Sequence, residues 1–160
     1  MAKFTDIAVA RDAEGVYDMV FDDTRDMASV QGFETALLCS LFSDRRADKD
    51  EVSDPMKRRG WIGNLVAETP MDNYGSGLWL YEQRRATEDV RALLRLEVIS
   101  SLEWMREERL IKNLDANLFY DPAKRSVSIR VLTSDLLGGV SSKSFELWSA
   151  TGRGQVATNQ

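Results

Sequence analysis

The sequence predicts an α+β domain with antiparallel strand pairing. Two observations lead there. Runs of alternating apolar and polar residues lie towards both ends of the chain, and two stretches of helical apolar spacing lie between them. There is no internal repeat. At 160 residues, 43% hydrophobic and 29% charged, the chain can bury a core as one domain without staples.

The first 22 residues read as a β-hairpin. "KFTDIAVA" and "VYDMVF" are strand-like, and "RDAEG" is a turn in which Gly15 can take positive φ. Next, "QGFETALLCSLFSD" (31–44) sets Phe33, Leu37, Leu38, Leu41 and Phe42 at helical spacing, which predicts an amphipathic helix. Cys39 lies inside that pattern and reads as a small buried hydrophobe. The segment 44–64, "DRRADKDEVSDPMKRRGWIGN", carries eleven charges in its first sixteen residues. Pro55, Gly60 and Gly63 argue against regular structure across it. In "NYGSGLWLYEQRRA", Gly75 and Gly77 allow close backbone approach, and Ser76 can cap a short helix carrying Leu78 to Tyr81. The glycine spacing there matches neither a P-loop nor a dinucleotide fingerprint.

Thr87 to Glu108 reads as one long amphipathic helix. Thr87 is the N-cap, Glu88 and Asp89 sit in the first turn, and Val90, Leu93, Leu94, Val98, Leu102 and Met105 form the stripe. Trp79 and Trp104 fall within helical patterns and read as core. "LIKNLDANLFYD" and "RSVSIRVLT", joined by "DPAKR", form a C-terminal hairpin that completes a small sheet. Residues 1–140 are thus expected to form one domain. Residues 141–160 are expected to hold one strand-like core at Phe145 and Leu147 and then a polar tail; with Trp148 this apolar patch either serves as a mobile cover or partner-binding arm or packs onto the domain's own core.

Composition narrows the function. A formal charge of −5 repels a phosphate backbone, and the five acids of the charged segment nearly cancel its six bases. A nucleic-acid adaptor would have to use Arg45, Arg46, Arg58 and Arg59. With no histidine, Ser-His and Cys-His nucleophile systems are excluded, and one cysteine cannot form an internal disulfide. "MAKFTDIAVARD" lacks the apolar run of a signal peptide, and no stretch is long and apolar enough to span a bilayer. Asp22, Asp23 and Asp26 lack EF-hand spacing and read as a turn, so no metal or cofactor is expected. Carboxylate pairs remain as catalysts. Glu103, Glu107 and Glu108 lie beside Arg106 and Arg109, where surface ion pairs are the commoner outcome, and the chain is read as no enzyme. Trp61, between two glycines and after two arginines, either plugs the domain's own core or anchors a partner.

Taken in order, "GFETALLCSLFSDRRAD", "RRGWIGN", "GSGLWLYEQ", a long helix and a two-stranded finish resemble the baseplate wedge protein family of Mu-type contractile-tailed phages, over about residues 1–135. The wider family comprises sheath initiators and wedge subunits, shared with type VI secretion baseplates. In the Mu-type family the second motif is often RRGWWGD, where this chain has Ile62 and Asn64. The wider family often carries Glu-Pro-Arg after the long helix, where this chain has Glu107-Glu108-Arg109. The resemblance implies a structural protein of the virion tail baseplate, assembled in the host bacterial cytoplasm. It would join the larger wedge subunit to the central hub or spike proteins and initiate the tail sheath, with no nucleic-acid or membrane partner. Asp44, Arg45, Arg46, Arg58, Arg59, Trp61, Glu107 and Arg109 are the expected partner contacts. The competing expectation is a tail peptidoglycan hydrolase using a Glu pair.

Overall fold

The computed structural model describes residues 5–11, 17–65, 74–82, 84–149 and 152–156. The chain divides into two units, 1–39 and 40–160. The class is α+β, with short N-terminal strands, central helices and an antiparallel C-terminal sheet.

In the first unit, β1 (Thr5–Ile7) pairs with β4 (Ser29–Gln31), and β2 (Val9–Arg11) pairs with β3 (Tyr17–Met19), both antiparallel. The expected hairpin is β2–β3, and its turn, residues 12–16, lies outside the described residues. Strand β4 carried no signal of its own, because three residues are too few to show a period. Asp22 closes the turn after β3. Its Oδ1 accepts from Thr24 N at 2.8 Å, Thr24 Oγ1 at 2.6 Å and Asp26 N at 3.1 Å, and these bonds hold its carboxyl below the usual range. The start of α1 (Glu34–Phe42) is tied to β1, with Ala36 N donating to Asp6 Oδ2 at 2.9 Å. On α1, Leu37, Leu38, Ser40 and Leu41 are buried. Cys39 is exposed, which corrects its reading as a buried residue. At 100° per residue it points away from the arc that residues 37, 38 and 41 share.

In the second unit, a short 3₁₀ turn spans Leu78–Tyr81. Its N-cap is Gly77, not Ser76. Ser76 is buried, donates through Oγ to Leu41 O at 2.6 Å, and accepts from Leu78 N only at 3.4 Å. Thr87 caps α2 (Glu88–Leu102) as expected, its hydroxyl accepting from Val90 N. The long helix is not continuous. The Glu103 amide bonds to Ser100 O, one residue closer than an α-helix requires, and α3 (Trp104–Glu107) follows after that tightened turn. The buried stripe is Leu94, Val98, Leu102 and Met105. Leu93 lies outside it and is exposed, because α2 is covered along a strip narrower than the full apolar pattern. Trp104 is 39% exposed, which corrects its reading as core. Its ring stays at the rim because Nε1 donates to Ser40 Oγ at 3.1 Å, so the indole keeps a polar edge satisfied.

The sheet order is β5–β6–β7–β8, comprising β5 (Asn113–Asp121), β6 (Ser126–Ser134), β7 (Val140–Ser149) and β8 (Gly152–Val156). The β5–β6 hairpin is the predicted one, running in continuous register from Asn113↔Ser134 to Asp121↔Ser126. Strand β7 contains the strand-like stretch expected at Phe145 and Leu147, and β8 lies where a polar tail was expected, so the sheet has four strands rather than two. Pairing is made by the main chain, and "VSSKSFELWS" needs only Phe145 and Leu147 on the inner face to belong. The division expected after residue 140 therefore falls at the first residue of β7. Val127, Ile129 and Val131 of β6 join Phe145 and Leu147 to form the sheet side of the core, and α2 packs against β5. The outer edge of β5 is guarded at Ala116. Its amide donates to Asp115 Oδ1 at 2.7 Å, its carbonyl accepts from Arg95 Nε at 2.8 Å, and Arg95 and Asp115 pair at 2.6 Å.

Candidate docking surface around the charged loop

The loop 44–64 is held by its own arginines. Arg45 grips Glu51 with both terminal nitrogens, at 2.9 and 2.7 Å, while its Nε donates to Glu97 Oε1 on α2 at 3.0 Å. The bidentate bond lowers the Glu51 carboxyl below its ordinary range and raises Arg45 further above its own. Glu97 also accepts from Gly77 N at 2.5 Å. A Cβ at Gly77 would lie 2.6 Å from Glu97 Oε1 and 2.7 Å from Arg45 Nη2, so the pair requires glycine there. Arg58 donates to Val52 O at 2.8 Å and Ser53 O at 3.1 Å, and Arg46 donates to Arg59 O at 3.2 Å and Pro55 O at 3.3 Å. All four arginines of the loop are therefore committed to loop backbone or to internal ion pairs.

Arg59 is the outermost of the four. It adopts φ 43°, pairs with Asp44 at 3.3 Å and Glu82 at 3.7 Å, and lies 4.8 Å over the half-buried Trp79 ring. The chain then reverses at Gly60, φ 107°, where a Cβ would stand 2.7 Å from Arg46 Cβ. Trp61 N donates to Asp44 O at 3.0 Å, which fixes the backbone just before the indole. The indole lies flat against Gly63, where a Cβ would be 1.9 Å from Cζ3, and meets Tyr74 at 5.2 Å between ring centroids. Asn64 completes the seat, donating to Tyr74 O at 3.0 Å and accepting from Tyr74 N at 3.1 Å. A carboxylate could not do both.

The result is a rigid platform that presents apolar groups to solvent. Trp61 is 53% exposed, Ile62 76% and Met56 91%. Trp61 therefore does not plug the core. Beside it lies an open groove of about 390 Å³ lined by Phe42, Ser43, Asp44, Arg59, Gly60 and Trp61. Met56 and Ile62 were not among the expected contacts. Their signal was apolar side chains in an otherwise charged segment, with no period to bury them.

Glu107 and Arg109 lie elsewhere, at the end of α3, and both are exposed. The turn closes without a proline. Arg109 takes φ 56°, its amide donates to Arg106 O at 3.0 Å, and the Leu110 and Ile111 amides both return to Met105 O. Among the described residues neither Glu107 nor Arg109 has an ion-pair partner. Glu103 pairs instead with Arg106 at 3.2 Å.

Residues 33–136 match the family described as Phage protein GP46, which is well over half of the chain. The chain belongs to this family. The platform and the Glu107–Arg109 turn both lie within the matched residues. One relative in the same line is "Baseplate protein gp46" of Escherichia phage Mu, 36% identical over 89 residues. That alignment covers 54% of this chain and 59% of the Mu protein, so the chain matches less than two thirds of its relative's length.

Proposed function

We propose that this GP46-family chain is a structural component of a contractile-tail baseplate. It joins the larger wedge subunit to the central hub and provides the point at which the sheath starts. Its place is the virion tail baseplate, assembled in the host bacterial cytoplasm. Family membership and the baseplate role of the Mu relative support the reading at its coarse level. The observation that carries the docking claim is the platform. Its four arginines are bonded to carboxylates or to loop carbonyls, and Trp61, Ile62 and Met56 are left outward on a hydrogen-bonded loop. Such an anchor loses little conformational entropy on binding, and Trp is a residue type enriched at hot spots. Opposed charges around it, Asp44, Arg59 and Glu82, select one orientation of the partner.

Glu107 and Arg109 form a second, polar contact to the larger wedge subunit. Strand addition by the sheath takes place at β8, the strand that ends the sheet on the side away from the guarded β5. The chain acts by assembly and has no catalytic role. The test is reconstitution. Purified chain should bind the larger wedge subunit, and changing Trp61 and Ile62 to Ser should abolish binding while leaving the circular dichroism spectrum intact. Turnover of cell-wall peptidoglycan by the purified chain, lost in Glu103→Gln or Glu107→Gln, would overturn the reading.

A further inference from the structure

A second cleft, of about 480 Å³, is lined by Arg84, Arg85, Thr87, Tyr120, Arg125 and Glu82 among others, and borders the loop platform at Glu82. Its three arginines are all exposed, and among the described residues none of them has an ion-pair partner. Arg25, Arg46, Arg58, Arg109 and Arg130 also lack a carboxylate partner among the described residues, but here three such arginines line one opening, in a chain in which 26 acids outnumber 21 bases. Elsewhere in the molecule Arg45, Arg59, Arg91, Arg95 and Arg106 are paired with carboxylates. The one acid in the cleft, Glu82, turns an oxygen towards Arg59, 3.7 Å away.

The cleft is also built in advance. Arg84 N donates to Tyr81 O at 3.0 Å, and its guanidinium lies 5.1 Å over the Tyr81 ring. Thr87 N donates to Arg85 O at 2.8 Å. On the opposite wall Arg125 sits at φ 49° after the β5–β6 turn, which Asp121 Oδ1 closes by accepting from Ala123 N at 2.9 Å and Lys124 N at 3.3 Å. Two separate segments thus bring three arginines to one opening, with the half-exposed Tyr120 alongside.

We propose that this cleft binds an acidic segment of a partner protein, two or more carboxylates of which are taken by Arg84, Arg85 and Arg125. Guanidinium forks match carboxylates in bidentate geometry, and Arg with Tyr is a composition typical of protein contacts. The opening is larger than one small anion needs, and its cations come from two walls, which suits a chain carrying several charges. The net charge of −5 opposes a nucleic acid, whose charge density extends far beyond the cleft. This site goes beyond the loop platform, and its test uses the chain alone, so its failure leaves the platform claim untouched.

The probe is fluorescently labelled hexaglutamate with neutral ends, titrated at low and moderate salt and followed by anisotropy. Saturable one-site binding that weakens with salt is expected, with hexaglutamine failing to bind. Arg84→Gln with Arg125→Gln should weaken binding at least tenfold, with an unchanged melting temperature. Arg125→Lys, which keeps the charge and removes the fork, should give a smaller loss. Equal binding by the double variant would overturn the proposal, as would no binding by the native chain. Competition by inorganic phosphate at equal concentration would instead mark a small-anion site, and tighter binding of oligothymidine would mark a nucleic-acid site. Either result also overturns it.

Discussion

Replacing Trp61 by Ala separates an anchor from a core residue. A buried aromatic removes about 150–250 Å² from water. Trp61 is 53% exposed, so folding covers roughly half of that area, about 100 Å². At about 25 cal/mol per Å² the loss of stability is at most ~2.5 kcal/mol, and less once the compact unfolded chain is considered. A core Trp→Ala change costs about 3–5 kcal/mol. The exposed half is what a partner would cover, so the loss on binding should reach about 2 kcal/mol or more, roughly a thirtyfold weaker complex. Denaturant melting of the isolated chain gives the first quantity, and titration with the larger wedge subunit gives the second. Gly63→Ala is the companion test, because its Cβ would stand 1.9 Å from Cζ3 and push the ring off its seat without deleting it. A stability loss near the core value with unchanged affinity would refute the reasoning.

Arg45→Met should destabilise the chain by about 2–4 kcal/mol, because Glu97, only 15% exposed, loses its partner, and urea melting would register it. The native chain should also lose stability in acid. Glu51 titrates below its ordinary value of 4.5 when folded, so its contribution is complete above that pH and fades as pH falls through the lowered value. In Arg45→Met that portion of the acid dependence should shrink in melting curves taken across the range, leaving the part held by the Asp48 amide. Arg109→Ala should leave stability within about 0.5 kcal/mol and yet reduce co-purification with the larger wedge subunit. Arg95→Ala frees the Ala116 carbonyl at the β5 edge, so sedimentation should show concentration-dependent self-association that the native chain lacks.

Elements whose signals are local were legible in the sequence. Thr87 and the stripe through Leu94, Val98 and Leu102 marked α2, and strict alternation marked β5 and β6. Strand β7 was legible only around Phe145 and Leu147, because its partner β6 supplies the order and four of its ten residues are serine. Cys39 was misread because one apolar residue cannot reveal which way it faces without the helix phase. The charged loop was legible as a loop, and its Trp61 as the residue to watch. The use of its arginines was not. Charge is written in the sequence, but the partner of Arg45 lies on α2, 52 positions away, and only the fold brings Glu97 to it. For the same reason the cleft of Arg84, Arg85 and Arg125 had no counterpart in the sequence reading, since its walls come from two distant segments.

If this chain is a baseplate component, the Trp61 platform is what seats it. Cryo-electron microscopy of assembled tails tests it most directly. Density for the chain is expected within the baseplate, with Trp61, Ile62 and Met56 covered by a neighbouring protein and Arg45 still bonded to Glu51 and Glu97. A baseplate that lacks the chain, or one that holds it with the platform facing solvent, would contradict it.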